Sequence, residues 1–399
     1  MSRTAVLCYS GGLDTTCAIC WLKEDYGFDD VVAVMADVGQ EFDLEQATQR
    51  GQVAGAKEII VLDLKERFAN GIVAQAIKTN ALYEGRYPLH SALSRPLIAG
   101  AVAEVAAERQ AEALVHGCTG KGNDQLRFDY AFKANYPGVK VIAPLRDKVR
   151  TREEEIVYAE EHGIPITNTK ESPYSIDENL FGRAIEAGML EDPWSAPPED
   201  AYLLTSDPLK APAAKEIVIG FEAGIPVSLD GKKLPVYELI HQMNVAAGKY
   251  GIGRIDMIEN RAVGIKSREV YEAPAAVALI EAHKALDDLV LTRDELRLKH
   301  YLEVRWTEIV YEGKWFSPAR EAIDAFVDQT QRLVTGEVRL RLQGGQAVVA
   351  GRRSDNALYA ETLASYGASD TFPHEAAEGL ITLLSLETEA VAARARKNG

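Results

Sequence analysis

The segment SGGLDTT, at residues 10–16, has the residue types and spacing of a phosphate-binding loop. It lies between an apolar run and a helical pattern. Its two glycines let the backbone approach an anion at a helix N-terminus, where unpaired N–H groups carry a partial positive charge. The hydroxyl groups of Ser10, Thr15 and Thr16 add donors for phosphate oxygens, and the carboxylate of Asp14 can hold Mg²⁺ beside them. We therefore expect phosphate chemistry here, with Asp14 as the catalytic and metal-binding residue.

Two other nucleotide-binding loops do not fit this segment. It lacks the lysine of G-x-x-x-x-G-K-[ST], and it does not read G-x-G-x-x-G. A glycine turn with a helix cap is the simpler alternative for an isolated pair of glycines. The succession of strand, S-G-G-x-D-T and helix favours the phosphate-binding interpretation.

The loop resembles the S-G-G-x-D-S signature of the ATP-pyrophosphatase (PP-loop) superfamily, with Thr15 where that signature often has serine. The resemblance implies cleavage of ATP between its α- and β-phosphates and adenylation of an oxygen. It also implies that ATP contacts Cys8, Tyr9, Ser10, Gly11, Gly12, Leu13, Asp14, Thr15 and Thr16. The superfamily includes amidotransferases, NAD synthetases, tRNA-modifying enzymes and argininosuccinate synthetases, and the loop alone does not choose among them.

Five further segments, spread over nearly the whole chain, resemble the argininosuccinate synthetase family. They read MADVGQ at 35–40, YEGRYPLHSALSRP at 83–96, GCTGKGNDQLRF at 117–128, SPYSIDENL at 172–180, and GIGRIDMIENR at 251–261 with KSR at 266–268 and YEAP at 271–274. The third is the most specific, because three glycines after a strand open the backbone around a ligand and polar groups converge on it. Taken alone, the polar residues of the last two segments are more typical of hydrogen-bonded structural groups.

The resemblance implies a substrate for each group of positions. Further ATP contacts are expected at Ala36 and Gly117. Citrulline is expected to contact Tyr87, Ser91, Asn123, Arg127, Ser175, Glu259 and Tyr271. The substrate aspartate is expected to contact Thr119, Asn123 and Asp124. These residue types suit amino acids, whose carboxylates need donors and whose ammonium groups need acceptors, and charge-assisted hydrogen bonds are about twice as strong as neutral ones.

The chain departs from the family pattern at two positions. Ser91-Ala92 stands where the family commonly has Thr-Ser, and Ala184 stands where the family has a second serine nine residues after Ser175. Each departure removes one hydroxyl group, so Tyr87 carries over from the family more directly than Ser91.

The family resemblance implies an ATP-dependent, AMP-forming carbon–nitrogen ligase of arginine biosynthesis. It would join L-citrulline to L-aspartate through a citrullyl-adenylate, with ATP as substrate and Mg²⁺ as cofactor, and would work as a homotetramer. One alternative is a tRNA-thiolating member of the superfamily that uses Cys17, Cys20 or Cys118. A non-catalytic nucleotide sensor is the other. Pyrophosphate release that requires both amino acids would separate the three.

The C-x-x-C formed by Cys17 and Cys20 is compatible with redox or metal chemistry. However, the sequence has no second such pair or paired histidines to complete a zinc site. The two cysteines also lie in the apolar run CAICWL at 17–22, where cysteine behaves as a small hydrophobic residue. We therefore expect both to pack in the core.

Bulk properties narrow the classes of partner. Forty-four basic and sixty acidic residues give a net charge of −16, which repels phosphate backbones and argues against nucleic acid. The sequence contains no run of about 20 apolar residues, so it predicts no membrane-spanning helix. The first residues also lack the apolar stretch and cleavage site of a signal peptide. We expect no membrane association and a cytoplasmic location.

Alternating strand and helix patterns predict that the first part of the chain is a doubly wound α/β domain. Strand-like runs lie at 5–9, 31–36, 58–64, 113–117 and 139–143. Helical patterns separate them, including 93–109 and a capping box, TREE, at 151–154. Such alternation predicts a parallel sheet whose ligands bind beyond the carboxyl ends of the strands.

An α+β domain is expected to follow, because nine of the sixteen prolines lie at 165–235 and predict irregular chain before it. The later sequence predicts hairpins at 216–229 and 338–351, a long helix from Pro274 to about His300, a helix after Ser317-Pro318, and a terminal helix near 375–396. We assign residues 1–165 to a nucleotide-binding PP-loop domain, 166–370 to a synthetase and multimerisation domain, and 371–399 to a C-terminal oligomerisation helix.

Overall fold

A computed structural model describes residues 2–41, 43–165 and 174–398. A parallel sheet carries the segment at residues 10–16, which we call the glycine loop. Its strands are β1 (Thr4–Cys8), β2 (Asp30–Asp37), β3 (Glu58–Asp63), β4 (Ala113–Val115) and β5 (Lys140–Ile142). The strand order is β3-β2-β1-β4-β5, and all neighbours are parallel. Each predicted strand is present to within two residues. The order reverses beside β1, and ligands of open α/β sheets bind at such a switch point.

Helices cover both faces of this sheet, which confirms the predicted doubly wound α/β architecture. They are α1 (Leu13–Glu24), α2 (Leu44–Val53), α3 (Lys65–Arg67), α4 (Ala74–Lys78), α5 (His90–Glu108), α6 (Asp124–Asn135), α7 (Pro144–Asp147) and α8 (Arg152–Glu161). A π-helical turn at Phe68–Val73 joins α3 to α4. The predicted capping box is present at the start of α8, where Thr151 and Glu154 each accept a hydrogen bond from the other's backbone N–H.

The packing of alternate residues explains why β1 is apolar from Ala5 to Cys8. Val6 packs into one hydrophobic cluster, while Ala5 and Leu7 pack into another. Successive side chains of a strand point to opposite faces of the sheet, so a sheet with helices on both faces needs apolar residues on both.

Antiparallel strands dominate the next part of the chain. They are β6 (Ser175–Asn179), β7 (Gly182–Glu186), β8 (Lys215–Glu222), β9 (Ile225–Leu229), β10 (Lys232–Lys233), β11 (Arg254–Asn260), β12 (Lys266–Glu272), β13 (Gly336–Gln343) and β14 (Gln346–Arg353). They form two sheets, in the orders β11-β12-β7-β6 and β10-β9-β8-β13-β14. Both predicted hairpins are confirmed, as β8–β9 and β13–β14. Ser172 and Pro173 of the fourth family-like segment lie outside the described residues.

Four longer helices accompany these sheets in the described part of the chain: α9 (Val236–Gly248), α10 (Pro274–Val290), α11 (Arg293–Tyr311) and α12 (Pro318–Gln331). The prediction of one continuous helix from Pro274 to about His300 is wrong. Leu291 adopts an extended backbone with ψ of 148°, and Thr292 begins a new helix through a capping box with Glu295. The side-chain cap competes with helix continuation at this point. The helix after Ser317 is confirmed.

One hydrophobic cluster includes residues from both parts of the chain. Leu93 from α5, Phe181 after β6 and Leu279 from α10 all belong to it. Residues Met1–Asn356 accordingly form one compact unit. The charged and polar groups described below are fixed within this unit.

Residues Ala357–Gly399 form a second compact unit. It contains α13 (Glu361–Ala364) and α14 (His374–Asn398), so the predicted terminal helix is confirmed. Exposed apolar side chains lie along α14 at Leu380, Ile381, Leu383, Leu384, Leu386 and Val391. Among the described residues, no helix combines the length and the apolar character that a bilayer crossing requires.

Candidate active site

The glycine loop joins β1 to α1 and leaves backbone donors free for an anion. Gly11 has a φ of +77°, and a Cβ atom there would lie 2.5 Å from the Cβ atom of Ala47, so only glycine fits. Gly12 is the N-cap residue of α1, and no side chain caps this helix end. The first-turn N–H groups of α1 are therefore available to a ligand, and the helix dipole favours a negative charge there.

The hydroxyl groups of the loop divide between a cavity and the core. The Ser10 Oγ and Thr15 Oγ1 atoms are 3.0 Å apart, and both residues line the cavity beside the loop. The Thr16 hydroxyl is buried and donates to the Gly12 carbonyl at 2.7 Å, with the Tyr9 hydroxyl 3.1 Å away. The Thr16 side chain therefore supports the loop from behind, which differs from the phosphate donor expected from the sequence.

A cavity of about 390 Å³ opens beside the loop at the switch point of the sheet. We call it the loop cavity. The residues with a predicted ATP contact that line it are Cys8, Tyr9, Ser10, Thr15, Ala36 and Gly117. The other five, Gly11, Gly12, Leu13, Asp14 and Thr16, do not line it. A Cβ atom at Gly117 would lie 2.6 Å from the Thr15 Cγ2 atom, so the third predicted segment must approach the loop through a glycine.

Asp14 stands in the first turn of α1 with its side chain 45% exposed. Its carboxylate lies 3.2 Å from a guanidinium nitrogen of Arg152 in α8. Glu155, from the same helix, is buried beside it. Burial, and then the negative charge of Asp14 and a hydrogen bond with it, raises the pKa of Glu155 above its ordinary value. The loop therefore faces one exposed carboxylate that is backed by a cation and a proton-retaining acid.

A second cavity, of about 220 Å³, adjoins the first. We call it the charged cavity. The predicted amino-acid-binding residues that line it are Tyr87, Ser91, Thr119, Asn123, Asp124, Arg127, Glu259 and Tyr271. Cys118, Asp124 and Asp177 line both cavities, which therefore share a wall. A ligand in one cavity can thus meet a ligand in the other.

Asp124 is held between two guanidinium groups in that wall. Arg95 Nε donates to Asp124 Oδ2 at 2.8 Å, and Arg127 Nη1 donates to Asp124 Oδ1 at 2.8 Å. Arg95 also reaches Asp177 Oδ2 at 2.5 Å. Burial alone would raise the pKa of Asp124, but the two arginines hold it below its ordinary value. Asp124 therefore stays ionised as an acceptor at neutral pH.

Glu259 of β11, which lines the charged cavity, accepts hydrogen bonds from two tyrosine hydroxyls. Tyr271 of β12 donates to its Oε2 atom at 2.5 Å, and Tyr311 donates to its Oε1 atom. The ring of Tyr271 stacks on that of Tyr87, with centroids 4.3 Å apart. Burial raises the pKa of Glu259, and the two hydrogen bonds oppose that rise because they favour the ionised form.

A further arginine, which is partly buried, lies in the wall of the charged cavity. Arg261 donates to Glu186 at 2.8 Å and to Glu269 at 2.6 Å, and it also donates to the Ser267 hydroxyl at 2.7 Å. Burial, and then the negative charge of Glu269, raises the pKa of Glu186, and Arg261 opposes that rise. The cavity therefore presents carboxylates that are paired with arginines on its walls and can still accept further hydrogen bonds.

The structure does not bring Ser175 into the charged cavity. Ser175 is exposed at the start of β6, on the same side of the strand as Asp177, and pairs with Glu186. Of the two departures from the family pattern, Ala184 lines the charged cavity, whereas Ala92 is buried in the core. The missing hydroxyl at Ala184 therefore leaves an apolar spot on the cavity wall.

Sequence reasoning assigned no role to several residues of this site. Arg95 and Asp177 lie inside the quoted segments, where their charge was a usable signal. Arg152 and Glu155 follow Thr151, and their helix was recognised only by its cap. Tyr311 lies in no quoted segment, and nothing in its local sequence points to the site.

The cysteines of the C-x-x-C pack as predicted. Cys17 and Cys20 are buried in the hydrophobic cluster behind the loop, and the Cys20 thiol donates to the Ala54 carbonyl. Burial raises the pKa of Cys17 to about 12 and also raises that of Cys20. Thiolate chemistry at neutral pH is therefore disfavoured at both.

Comparison with known families agrees with this geometry. Residues 4–165 match the family model described as the arginosuccinate synthase N-terminal HUP domain. Residues 174–391 match the model described as the arginosuccinate synthase C-terminal domain. Together the two models cover almost the whole chain, including both cavities.

Curated relatives extend the match over full length. The chain is 52% identical to argininosuccinate synthase of Geobacillus kaustophilus over 385 residues, which cover 96% of this chain and 94% of the relative. It is 50% identical to argininosuccinate synthase of a Synechococcus species over 399 residues, which cover 100% of this chain and 98% of the relative. These matches favour a ligase over the tRNA-thiolating alternative. The chain therefore belongs to the argininosuccinate synthase family.

Proposed function

We propose that this protein is an argininosuccinate synthase that consumes ATP, L-citrulline and L-aspartate and releases argininosuccinate, AMP and pyrophosphate. The observation that carries the proposal is the shared wall of the two cavities, formed by Cys118, Asp124 and Asp177. ATP can adenylate a small substrate only if the two molecules are in contact. Binding them in adjoining cavities holds their reacting groups close together and in a defined orientation.

In this proposal the loop cavity takes ATP. The first-turn N–H groups of α1 and the hydroxyls of Ser10 and Thr15 bind the pyrophosphate portion. Ala36 and Gly117 contact the remainder of the nucleotide, and Cys8, Tyr9, Gly11, Gly12, Leu13 and Thr16 shape the loop around it.

We propose Asp14 as the residue that holds Mg²⁺. The donor set fits the ion, since Mg²⁺ on nucleotides is usually bound by one or two carboxylates together with phosphate oxygens. Asp14 supplies an exposed carboxylate at the loop, and among the described residues no group of three or more His, Cys, Asp or Glu side chains forms a separate metal site. The ion would neutralise negative charge on the phosphates.

The charged cavity would take the two amino acids. For citrulline we propose Glu259 as the acceptor of its ammonium, Arg127 as a donor to its carboxylate, and Tyr87, Ser91, Asn123 and Tyr271 as further contacts. Ser175, which does not line the cavity, would contact only a part of citrulline that extends out of it. For aspartate we propose Thr119, Asn123 and Asp124. Asp124 stays ionised between its two arginines and can accept from an ammonium group.

The chemistry explains why ATP is needed. The ureido oxygen of citrulline is a poor leaving group, because it would depart as hydroxide. Attack of that oxygen on the α-phosphorus of ATP expels pyrophosphate and makes the oxygen part of an AMP leaving group. The neutral amine of aspartate then attacks the ureido carbon, AMP departs with the oxygen, and the amine loses a proton. The enzyme contributes positioning and charge stabilisation, and no covalent enzyme intermediate is required.

Isotope transfer tests this route at the level of single atoms. Citrulline labelled with ¹⁸O at the ureido position should give labelled AMP and unlabelled pyrophosphate, as measured by mass spectrometry. Omitting citrulline or aspartate in turn from unlabelled assays provides the control for substrate identity. Label in inorganic phosphate, or ADP as product, would rule out adenylation even if argininosuccinate were formed.

We also propose that the protein is a homotetramer assembled through residues 371–399. Residues 1–165 would bind the nucleotide, and residues 166–370 would complete the synthetase site. The protein would work in the cytoplasm, where ATP is supplied. The exposed apolar residues of α14 support an assembly role, because contiguous exposed apolar surface marks interaction sites. Removing residues 375–399 should lower the number of subunits per particle, as calculated from the mass measured by light scattering. An unchanged assembly would refute this role.

A further inference from the structure

Tyr311, the last residue of α11, touches three of the proposed substrate-binding residues at once. It is 1% exposed and lies outside every segment that carried the family resemblance. The three residues are Asn123, Arg127 and Glu259. All three are far from Tyr311 along the chain, and Glu259 is also far from the other two. A residue that joins them can set their relative positions.

The Tyr311 hydroxyl connects two of these residues. It accepts a hydrogen bond from Asn123 Nδ2 at 2.8 Å and donates to Glu259 Oε1. The other Glu259 oxygen accepts from Tyr271 at 2.5 Å. Because a hydroxyl has one hydrogen, the direction of both bonds is set: the amide donates, and the carboxylate accepts. Each Glu259 oxygen thereby accepts one tyrosine hydroxyl, which favours the ionised form and fixes the angle of the carboxylate.

The Tyr311 carbonyl holds the third residue. Arg127 Nε and Nη2 donate to it at 3.1 and 3.0 Å. This carbonyl belongs to the C-terminal turn of α11, where unpaired carbonyls and the helix dipole favour a cation. Arg127 Nη1 is used by Asp124, so the guanidinium is held from two sides and its orientation is determined.

Two neighbours prevent the end of α11 from shifting. The Tyr83 ring stacks on the Tyr311 ring, with centroids 3.7 Å apart and planes 4° apart, and its hydroxyl donates to the Asn260 carbonyl at 2.8 Å. Gly313 has a φ of +77°, and a Cβ atom there would lie 2.9 Å from the Arg127 Cα atom. The helix end therefore meets the backbone of α6 with no space for a side chain.

We infer that Tyr311 is a positioning residue for citrulline, which aligns Glu259 and Asn123 through its hydroxyl and Arg127 through its carbonyl. The inference rests on the proposed function, because it names the substrate that those groups bind. Tyr311 acts through the three residues and need not touch the substrate itself.

Tyr311→Phe removes the hydroxyl and keeps the ring, its stacking and the carbonyl. We expect the KM for citrulline to rise about tenfold, as for loss of one hydrogen bond to a charged group. The KM for ATP should not change, and kcat should fall less than about threefold. Glu259 also loses a bond that favours its ionised form, so its pKa should rise. The acidic limb of kcat/KM for citrulline should therefore move to higher pH.

Controls separate positioning from general damage. Tyr301→Phe alters an exposed tyrosine of the same helix and should leave every constant unchanged. In a Glu259→Gln background, Tyr311→Phe should raise the citrulline KM by much less than tenfold, because the two residues act as one unit. Gly313→Ala keeps the hydroxyl but crowds Arg127, and it should also raise the citrulline KM.

The outcomes are distinguishable from failure of the proposed function. If the wild-type protein does not turn over citrulline, the proposed function fails, whatever Tyr311 does. If the wild type is active and Tyr311→Phe keeps both its citrulline KM and its acidic limb, the positioning role is overturned. Should Tyr311→Phe fail to fold, Tyr83→Leu, which removes the ring stacked on Tyr311, decides the question through a raised or an unchanged citrulline KM.

Discussion

The loop cavity takes most of the groups that we propose for anion binding from one stretch of chain, whereas the charged cavity is built from groups on many separate elements. Residues 8–16 supply the turn, the free helix N-terminus and two hydroxyls of the loop cavity. The charged cavity is lined by Asp124 from α6, Glu259 from β11 and Tyr271 from β12, and Tyr311 from α11 donates to Glu259 without lining the cavity.

The two cavities also differ in how they carry charge. The positive potential of the loop comes from backbone N–H donors and a helix dipole, which are fixed by local conformation and cannot titrate. The charged cavity relies on ionised side chains that are paired in advance, such as Asp124 with Arg95 and Arg127. An anion site can therefore be built from a short motif, while a site for zwitterionic substrates needs opposite charges that only the folded chain brings together.

Asp14→Asn tests the loop side of this comparison with the largest expected effect. If the exposed carboxylate holds the metal, kcat should fall by about 10²–10³, the usual result of removing one electrostatic stabiliser of the reaction. The melting temperature should stay near that of the wild type, because Asp14 is exposed. Pyrophosphate release at saturating substrates measures the loss. Glu45→Gln, which alters an exposed acid in the first turn of α2, is the matched control; turnover of Asp14→Asn equal to this control would remove the metal role.

Glu259→Gln tests the charged cavity and should act on binding more than on turnover. Loss of a charge-assisted bond to the citrulline ammonium costs about 1.5–3 kcal/mol, so the citrulline KM should rise about 10- to 100-fold while the KM for ATP stays constant. Asp256→Asn, on the same strand but exposed and paired with Arg268, serves as control. An equal rise in the KM for ATP would contradict the separation of the two cavities.

The pH dependence of citrulline use sharpens the same contrast. Burial raises the pKa of Glu259, so the wild-type kcat/KM for citrulline should decline, as pH falls, at a pH above the ordinary range of a glutamate. Protonation removes the acceptor for the ammonium group, which gives the decline its sign. Glu259→Gln should lack this limb. A limb of unchanged position in that variant would assign the titration to another group.

The smallest effect is expected for the two cysteines behind the loop. Cys17→Ala combined with Cys20→Ala should retain most activity and lower the free energy of unfolding by about 1–2 kcal/mol, because both side chains are buried and neither touches the loop cavity. Urea denaturation and pyrophosphate release measure the two quantities. A folded but inactive double variant would restore a sulfur-transfer role.

Local sequence patterns predicted much of the fold because their causes are local. The apolar runs of β1 and β2, the Thr151 capping box and the two hairpins each depend on residues within a few positions of one another. The single helix expected from Pro274 to about His300 was wrong because apolar periodicity continues across Leu291, while the Thr292 side chain caps a new helix.

The site was predicted where resemblance supplied long-range information and missed where it did not. Eight of the predicted amino-acid-binding residues line the charged cavity, but Ser175 does not, and Thr16 turns its hydroxyl to the core. Arg261 and Tyr311 were missed because their partners lie in other elements. No local spacing records a contact between Tyr311 and Asn123, 188 positions apart.

Residues close together in the chain were enough to predict the parallel sheet and the loop proposed to bind phosphate, and the family-like segments indicated which substrates to expect. The turn requires glycine at position 11, and the helix after it requires an uncapped first turn. Both features depend on a few consecutive residues, so they can be predicted from the sequence. Which charged groups come into contact depends on the packing of distant elements. Asp124 acquires a lowered pKa and Glu259 a raised one from burial and from partners on other elements, because the strength of a charge pair depends on its distance and surroundings in space.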